Sequence, residues 1–374
     1  MTRLALLTNE PPPYRIPVFN RIARMPGFTL QVIFCARREP NRQWDLPPFE
    51  FDHVFLRDRM KTVDGRYIHN NPDVIPALQR FAPDLIVLDG LNPTHLYAFA
   101  YAWLKGIPRI PLTDGTYLSE QHLSRAHKLV RKIVYSHSAA YLSASLGGQA
   151  LYESYGVPAD RCFRSYLCTD NDAFMQEAEP REKKFDLVFC ARMVPDKGPL
   201  FALRVAREAA RRLGRKVHML FVGSGSEEDR LKAAAAQQTD LVECHFHGFA
   251  LQKELPSLYK SARIFLFPTH ADVWGVVANE ACAAGLPIIV TPYAGVAGEL
   301  VIDGENGFVC DLDADLWAER AASLLAQADL RERFSRRSLD LVREYTFDNA
   351  AAGVIDACRF ALAAVESSKA RRLV

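Results

Sequence analysis

The chain has 374 residues, 49% hydrophobic and 24% charged, with 46 Lys and Arg against 44 Asp and Glu for a formal net charge of +2. That balance argues against a dedicated nucleic-acid binder, which carries a basic excess. The apolar content argues against a disordered chain, and no apolar run approaches the ~18 residues of a membrane span. At about 150 residues per domain, two domains are expected. The opening MTRLALLTNEPPP has too short an apolar run for a signal peptide, and the eight cysteines form no CxxC pair. A cytosolic protein with reduced, mostly buried thiols is the expectation.

In chain order, near-continuous apolar runs predict strands at 4–8, 30–35, 85–88, 107–112, 139–143, 185–190, 217–222, 241–245, 264–268 and 287–291. Such runs mark parallel strands buried on both faces. Helical patterns fit between them, for example at 200–213, 227–237, 254–260 and 278–284. The alternation predicts an α/β fold of two Rossmann-like, doubly wound domains facing across a central cleft. The polar segment 171–184, with Pro180, reads as the division. The domains would be 1–175 and 176–348, with a C-terminal amphipathic helix over 350–370 joining the first.

Ligands of open α/β sheets bind beyond the carboxyl ends of the strands, so the loops there hold the candidates. After the first strand come Asn9, three prolines and Arg15. After the strand ending near 112 comes Asp114, with Asp89, Gly90 and Asn92 on a similar loop. Residues 124–132 carry Arg125, Lys128, Arg131 and Lys132 around Leu129 and Val130, which reads either as a solvated helix face or as a surface for anionic lipid.

In the second half, one strand delivers Arg192 and then Lys197, two cations able to clamp a diphosphate. Gly223 and Gly225 sit in a VGSG turn, where backbone can approach a ligand; an ordinary tight turn reads the same way. The next strand leads to His247. Asp272, Trp274 and Gly275 then precede a helix starting near Val276 and holding Glu280. Free amides at that helix start, at Gly275, Val276 and Val277, favour an anion. Two carboxylates beside an anion site suit a ligand combining phosphate with sugar hydroxyls. No zinc spacing is present among the histidines, and no metal or cofactor is expected.

These features, in this order, resemble the retaining glycosyltransferases of family 4, the group 1 glycosyltransferases of GT-B fold. The match runs through Arg192 with Lys197 and Gly198, the VGSG turn, Phe246-His247-Gly248, and Leu255, Tyr259 and Ala262 before FLFPT. It continues through Asp272, Glu280-Ala281, Gly285-Leu286-Pro287, Gly295 with Glu299, and Gly304 with Gly307. The resemblance implies that Arg192 and Lys197 hold the donor diphosphate and that Glu280 binds the ribose. It implies that Asp272 meets the donor sugar, and that Trp274-Gly275-Val276-Val277, Gly223, Gly225 and His247 line the donor site.

The family usually has Glu at the first acidic position, so Asp272 implies a differently seated or a different sugar. In the first domain a Gly-rich loop is usual where this chain has Asn9 to Arg15, and His is common where it has Asp114. Asn9 and Arg15 are the donor-side candidates there, and Asp114 the catalytic-side one.

The implied activity is transfer of a sugar from a nucleoside-diphosphate sugar to a glycan or lipid-linked acceptor, in surface polysaccharide or lipopolysaccharide synthesis, with peripheral contact to the inner face of the membrane. A nucleotide-sugar epimerase of the same fold and a non-catalytic nucleotide-sugar-binding protein are the alternatives.

Overall fold

The structure, a computed structural model, describes residues 1–40, 45–63, 66–176 and 183–372. Contacts divide the chain into two compact units, Met1–Leu167 with Phe347–Val374, and Cys168–Thr346. The division falls upstream of residue 175 because the polar segment is not all linker. Its first part forms the helix Asn171–Met175, with Phe174 buried, and the Asn171 amide donates to the carbonyls of Val342 and Tyr345 at 3.0 and 3.1 Å. Residues 177–182 of that segment lie outside the described residues.

The first unit is built on strands β1 (Thr2–Thr8), β2 (Phe28–Phe34), β3 (Asp52–Phe55), β6 (Leu85–Asp89), β7 (Arg109–Thr113), β8 (Tyr141–Ser143) and β9 (Cys162–Arg164). Their order is β3-β2-β1-β6-β7-β8-β9, and every pairing is parallel. A separate antiparallel hairpin joins β4 (Met60–Val63) and β5 (Arg66–His69). Helix Phe347–Arg372 belongs to this unit, where it packs on helix Ile16–Arg24 and on β9, and Asp348 pairs with Arg21 at 2.7 Å.

The second unit carries β10 (Phe185–Cys190), β11 (Val217–Val222), β12 (Val242–Gly248), β13 (Ala262–Phe267), β14 (Ile288–Val290) and β15 (Gly307–Val309). The order is β12-β11-β10-β13-β14-β15, again all parallel, with Leu187 opposite both Met219 and Ile264. This is the 3-2-1-4-5-6 order of a doubly wound sheet.

Helix Pro199–Leu213 places Ala202, Val205, Ala206 and Ala209 on one buried stripe, the spacing of an amphipathic helix. With Trp317 they cover Leu187, Phe189, Phe221 and Leu266 of the sheet. Each fully buried aliphatic or aromatic side chain contributes about 1.5–3 kcal/mol. Small alanines let the helix sit close to the strands. Among the described residues, no helix is long and apolar enough to cross a membrane.

Candidate active site

Strand β10 is the point where the second sheet reverses direction, pairing with β11 on one side and β13 on the other. Chain connections leave it on opposite faces, which opens a crevice beyond the carboxyl ends of β10 and β13. Lys197 follows β10 and Asp272 follows β13, so the two borders of that crevice each supply one charge. They meet as an ion pair, Lys197 Nζ to Asp272 Oδ2 at 2.7 Å, with side chains 16% and 21% exposed. The ammonium also donates to Thr269 Oγ1 at 3.4 Å and to the Ala271 carbonyl at 3.3 Å. The amide of His270 donates to the Asp196 carbonyl at 2.8 Å, stitching the two loops together.

Asp272 does two things at once. Its Oδ1 accepts from the Trp274 amide at 3.2 Å, a side-chain turn typical of Asp, while Oδ2 faces Lys197. The carboxylate is therefore fixed from both sides. The loop 291–296 backs it, through Asp272 N to the Tyr293 carbonyl and Gly295 N to the Asp272 carbonyl.

Gly275 sits at φ 105° immediately before helix Val276–Ala283. A Cβ there would stand 2.3 Å from the Phe267 ring, so no other residue fits this turn. No side chain caps the helix, and Val276 and Val277 are half-buried. Their amides belong to the orphan set at a helix start, which favours a negative group.

Glu280 lies on the same helix and is buried. Its Oε2 accepts from the Tyr259 hydroxyl at 2.9 Å and its Oε1 from the Gln252 amide at 3.3 Å. Glu280 is therefore a held, buried carboxyl and not a solvated helix residue. Burial raises its pKa to about 7, with the Tyr259 and Gln252 hydrogen bonds acting against the rise.

A carboxyl whose pKa is raised in the native state holds its proton more tightly there than in the unfolded chain. The stability it contributes is complete below its ordinary value of 4.5 and declines as pH rises through about 7. Glu280→Gln removes this titration while keeping the shape. Thermal denaturation of both proteins should show the variant gaining on the wild type as pH rises between about 4.5 and about 7; parallel curves would refute the assignment.

Several sequence-predicted residues take other roles. Trp274 is 1% exposed, its indole NH donates to Asn279 Oδ1 at 2.8 Å, and its ring packs on Tyr345. Its side chain belongs to the core, which corrects the expectation that it lines the donor site. Gly223 and Gly225 are explained by packing: a Cβ would fall 2.0 Å from the Ala191 carbonyl oxygen and 2.4 Å from that of Met193. They let the turn after β11 lie flat on the loop carrying Arg192, which is exposed. His247 is half-buried near the end of β12, next to the Gly248 carbonyl that accepts from the Gly223 amide.

In the first unit Arg15 is neither a helix-surface residue nor an open cation. It is 2% exposed and bonds the Ser165 carbonyl and hydroxyl at 3.0 and 3.1 Å and Asp114 Oδ1 at 2.6 Å. Asp114, 29% exposed, is accordingly the partner of Arg15 as well as a strand-end carboxylate. The Asn9 side-chain oxygen accepts from Asn92 at 2.9 Å. Asp89 accepts from the Thr8 hydroxyl at 2.9 Å; burial first and the Asp114 charge second raise its pKa to about 6.

Tyr259, Gln252 and Thr269 position Glu280 and Lys197. Tyr259 and Thr269 were visible in the sequence only as letters of a pattern, and Gln252 gave no signal.

Residues 170–340 match the family model of glycosyl transferases group 1. The second unit is a group 1 glycosyltransferase domain. The D-inositol 3-phosphate glycosyltransferase of Acidothermus cellulolyticus is 28% identical over 195 residues, 50% of this chain and 43% of that enzyme. The chain spans less than half the length of such curated relatives.

The fold extends further than the sequence match. The crystal structure of Anabaena Alr3699/HepE in complex with UDP aligns with TM-score 0.73 at 14% identity, over 96% of this chain and 100% of that one. WaaG, a glycosyltransferase involved in lipopolysaccharide biosynthesis, aligns with TM-score 0.65 at 15% identity over 94% and 98%. These likenesses place the group 1 domain within a GT-B fold.

Proposed function

We propose that the protein is a retaining glycosyltransferase that moves a sugar from a nucleoside-diphosphate sugar to a glycan or lipid-linked acceptor. The observation that carries this reading is the Lys197–Asp272 pair at the sheet's reversal point, beside the open start of the helix that carries Glu280. A diphosphate suits the cation and the amides. Sugar and ribose hydroxyls suit carboxylates already held in place. Membership of the group 1 family supports the donor class, as does UDP in the HepE complex.

In this mechanism the glycosidic bond to phosphate breaks through an oxocarbenium-like transition state. Charge grows on the departing phosphate, where Lys197, Arg192 and the amides of Val276 and Val277 stabilise it most when it is largest. Asp272 is spoken for by Lys197 and the Trp274 amide, and Glu280 by Tyr259 and Gln252. Neither stands as a free covalent nucleophile of the kind paired carboxylates supply in retaining hydrolases. Retention by attack on the same face as the leaving group fits this site.

Incubation with labelled nucleoside-diphosphate sugars and a lipid-linked acceptor pool tests the reading. Transfer supports it, an epimerised donor establishes the epimerase alternative, and binding without turnover establishes a non-catalytic protein. For the ribose role, Glu280→Gln should weaken UDP binding about tenfold by calorimetry, a loss of about 1.4 kcal/mol from one charged hydrogen-bond acceptor. Unchanged affinity refutes it.

We further infer a cytoplasmic protein resting on the inner membrane face. In helix Arg125–Ser136, Arg125, Leu129, Lys132 and Ile133 are all exposed and spaced to share one face. Leu129 is 58% exposed and Ile133 41%, and the helix has no acidic residue. Cations interleaved with exposed aliphatics suit an anionic bilayer, each cation contributing about 1 kcal/mol near the surface. Co-sedimentation with phosphatidylglycerol vesicles should exceed that with phosphatidylcholine and fall about fivefold in Lys132→Glu. Equal sedimentation with both vesicle types refutes the contact.

A further inference from the structure

A cavity of about 400 Å³ opens on the first unit, bordered by Tyr117, Glu120, Gln121, Lys128, Ser154 and Tyr155 over a floor of Leu151. Apart from Lys128, part of the basic stretch 124–132, none of these residues was a site candidate, and the cavity falls within the size range of small-molecule pockets.

Its chemistry is mixed in a particular way. Glu120 is clamped by Arg131 in a two-pronged ion pair of 2.5 and 2.6 Å, with side chains 13% and 14% exposed. The clamp occupies one lone pair on each carboxylate oxygen and leaves another on each to accept a hydroxyl. It also cancels the charge. Ser154 donates to the Leu151 carbonyl at 2.6 Å and keeps its acceptor capacity, and Lys128 donates to the Gln121 carbonyl at 3.0 Å. Tyr117 is 50% exposed, offering much of its ring surface. Tyr155 is held edge-on against Tyr135, ring centroids 5.2 Å apart.

Three ligand classes can be weighed against these groups. A phosphate or nucleotide wants several convergent cations, and among the described residues Lys128 is the one cation that lines the cavity without a carboxylate to cancel it. An apolar ligand would bury the remaining acceptor capacity of the Glu120 carboxylate and the Ser154 hydroxyl without satisfying it. A pyranose ring satisfies both demands: its vicinal hydroxyls donate to a fixed carboxylate, and its C–H face lies against an aromatic ring.

The wall that holds Tyr117, Glu120 and Gln121 is also the loop that leaves β7 at Asp114, so the strand-end carboxylate and the cavity share one short segment of chain.

We propose that this cavity is a subsite for one sugar ring of an extended acceptor glycan, separate from the ring that receives the transferred sugar. It rests on the glycosyltransferase reading above, and it narrows the acceptor class to one with at least a second sugar residue.

Saturation-transfer NMR of the full chain with methyl glycosides of glucose, galactose and mannose tests it. At least one should show contact through its ring protons. That contact should weaken about tenfold in Tyr117→Ala and persist in Tyr117→Phe, since the ring face rather than the hydroxyl carries it. Gln121→Ala, a second exposed position, should also weaken it. No contact from any of the three glycosides overturns the proposal, as does contact unchanged in both Tyr117→Ala and Gln121→Ala.

UDP calorimetry on the same samples keeps the two readings apart. UDP binding with no glycoside contact overturns the subsite alone. Glycoside contact in a protein that binds no nucleoside diphosphate overturns the donor reading, and with it the cavity's role as an acceptor subsite.

Discussion

Lys197→Ala is expected to lower sugar transfer by roughly a hundredfold or more, with the fold retained. The magnitude follows from where the charge acts. A fixed cation beside a departing diphosphate stabilises charge that is small in the ground state and large in the transition state, so its loss falls on turnover rather than on donor affinity. The three bonds of Nζ to Asp272, Thr269 and Ala271 hold the ammonium in place before any substrate arrives. Such preorganisation is what makes a single cation effective.

The stability cost should be modest, on the order of 1 kcal/mol, because Asp272 stays partly solvated and keeps its bond from Trp274. Lys197→Arg should not rescue: a planar guanidinium cannot reproduce three bonds made by one tetrahedral nitrogen. Steady-state kinetics together with a melting curve decide the matter. Near-normal turnover in a folded Lys197→Ala protein removes Lys197 from the mechanism.

The short stem of Asp272 acquires a reason from this geometry. Asp can fold back to the amide two residues on and still reach Lys197. Glu, one methylene longer, would favour one of those contacts over the other. The departure from the family's usual Glu is therefore tied to how this carboxylate is held.

The central strands were legible because their burial is written directly into the sequence. The runs at 185–190 and 217–222 match β10 and β11 residue for residue, since a strand covered on both faces is apolar almost throughout, and Asp186 and His218 interrupt these two only near their starts. The edges were mostly not legible, although the run at 241–245 fell on the edge strand β12. Strand β3, DHVF, is exposed at its first two residues, and β9 and β15 have three residues each. An edge strand needs little apolar content, so nothing in composition separates it from a loop.

At the site, Asp272, Glu280 and Lys197 were readable as chemistry-bearing types on strand-end loops. Trp274 was misread because a large aromatic in a Gly-rich loop looks the same whether it faces a ligand or the core. Tyr259 and Gln252 escaped because a residue that positions another is defined by a contact across the fold. Arg15 and Asp114, 99 positions apart, are the extreme case: each looked like a separate strand-end candidate, and each is half of one pair.

That pair carries the largest expected effect on stability. Arg15→Met should destabilise the protein by about 3 kcal/mol, a loss in the range for breaking a buried ion pair on one side. Arg15 is almost wholly buried, and removing its guanidinium strips partners from the Ser165 carbonyl and hydroxyl as well as from Asp114. It also takes away a positive charge that opposes the mutual repulsion of Asp89 and Asp114. Methionine fills much of the volume, so the loss reports polar groups left unpaired rather than a cavity.

A second substitution separates these causes. Asp114→Asn alone should cost less, because Asp114 is 29% exposed and can turn to water. Placed on Arg15→Met, it should recover part of the loss by removing the uncompensated carboxylate, giving a favourable coupling in the double-mutant cycle.

The pH dependence has a definite sign. Asp89, already raised to about 6 with Arg15 present, rises further without it. Its proton is then held more tightly in the native state, so the variant loses stability relative to wild type as pH climbs past about 6. Denaturant titrations of the four proteins across that pH range measure both quantities. A single variant within 0.5 kcal/mol of wild type, a margin typical of surface substitutions, would mean that Arg15 merely occupies its site and does not hold the first sheet's strand ends together.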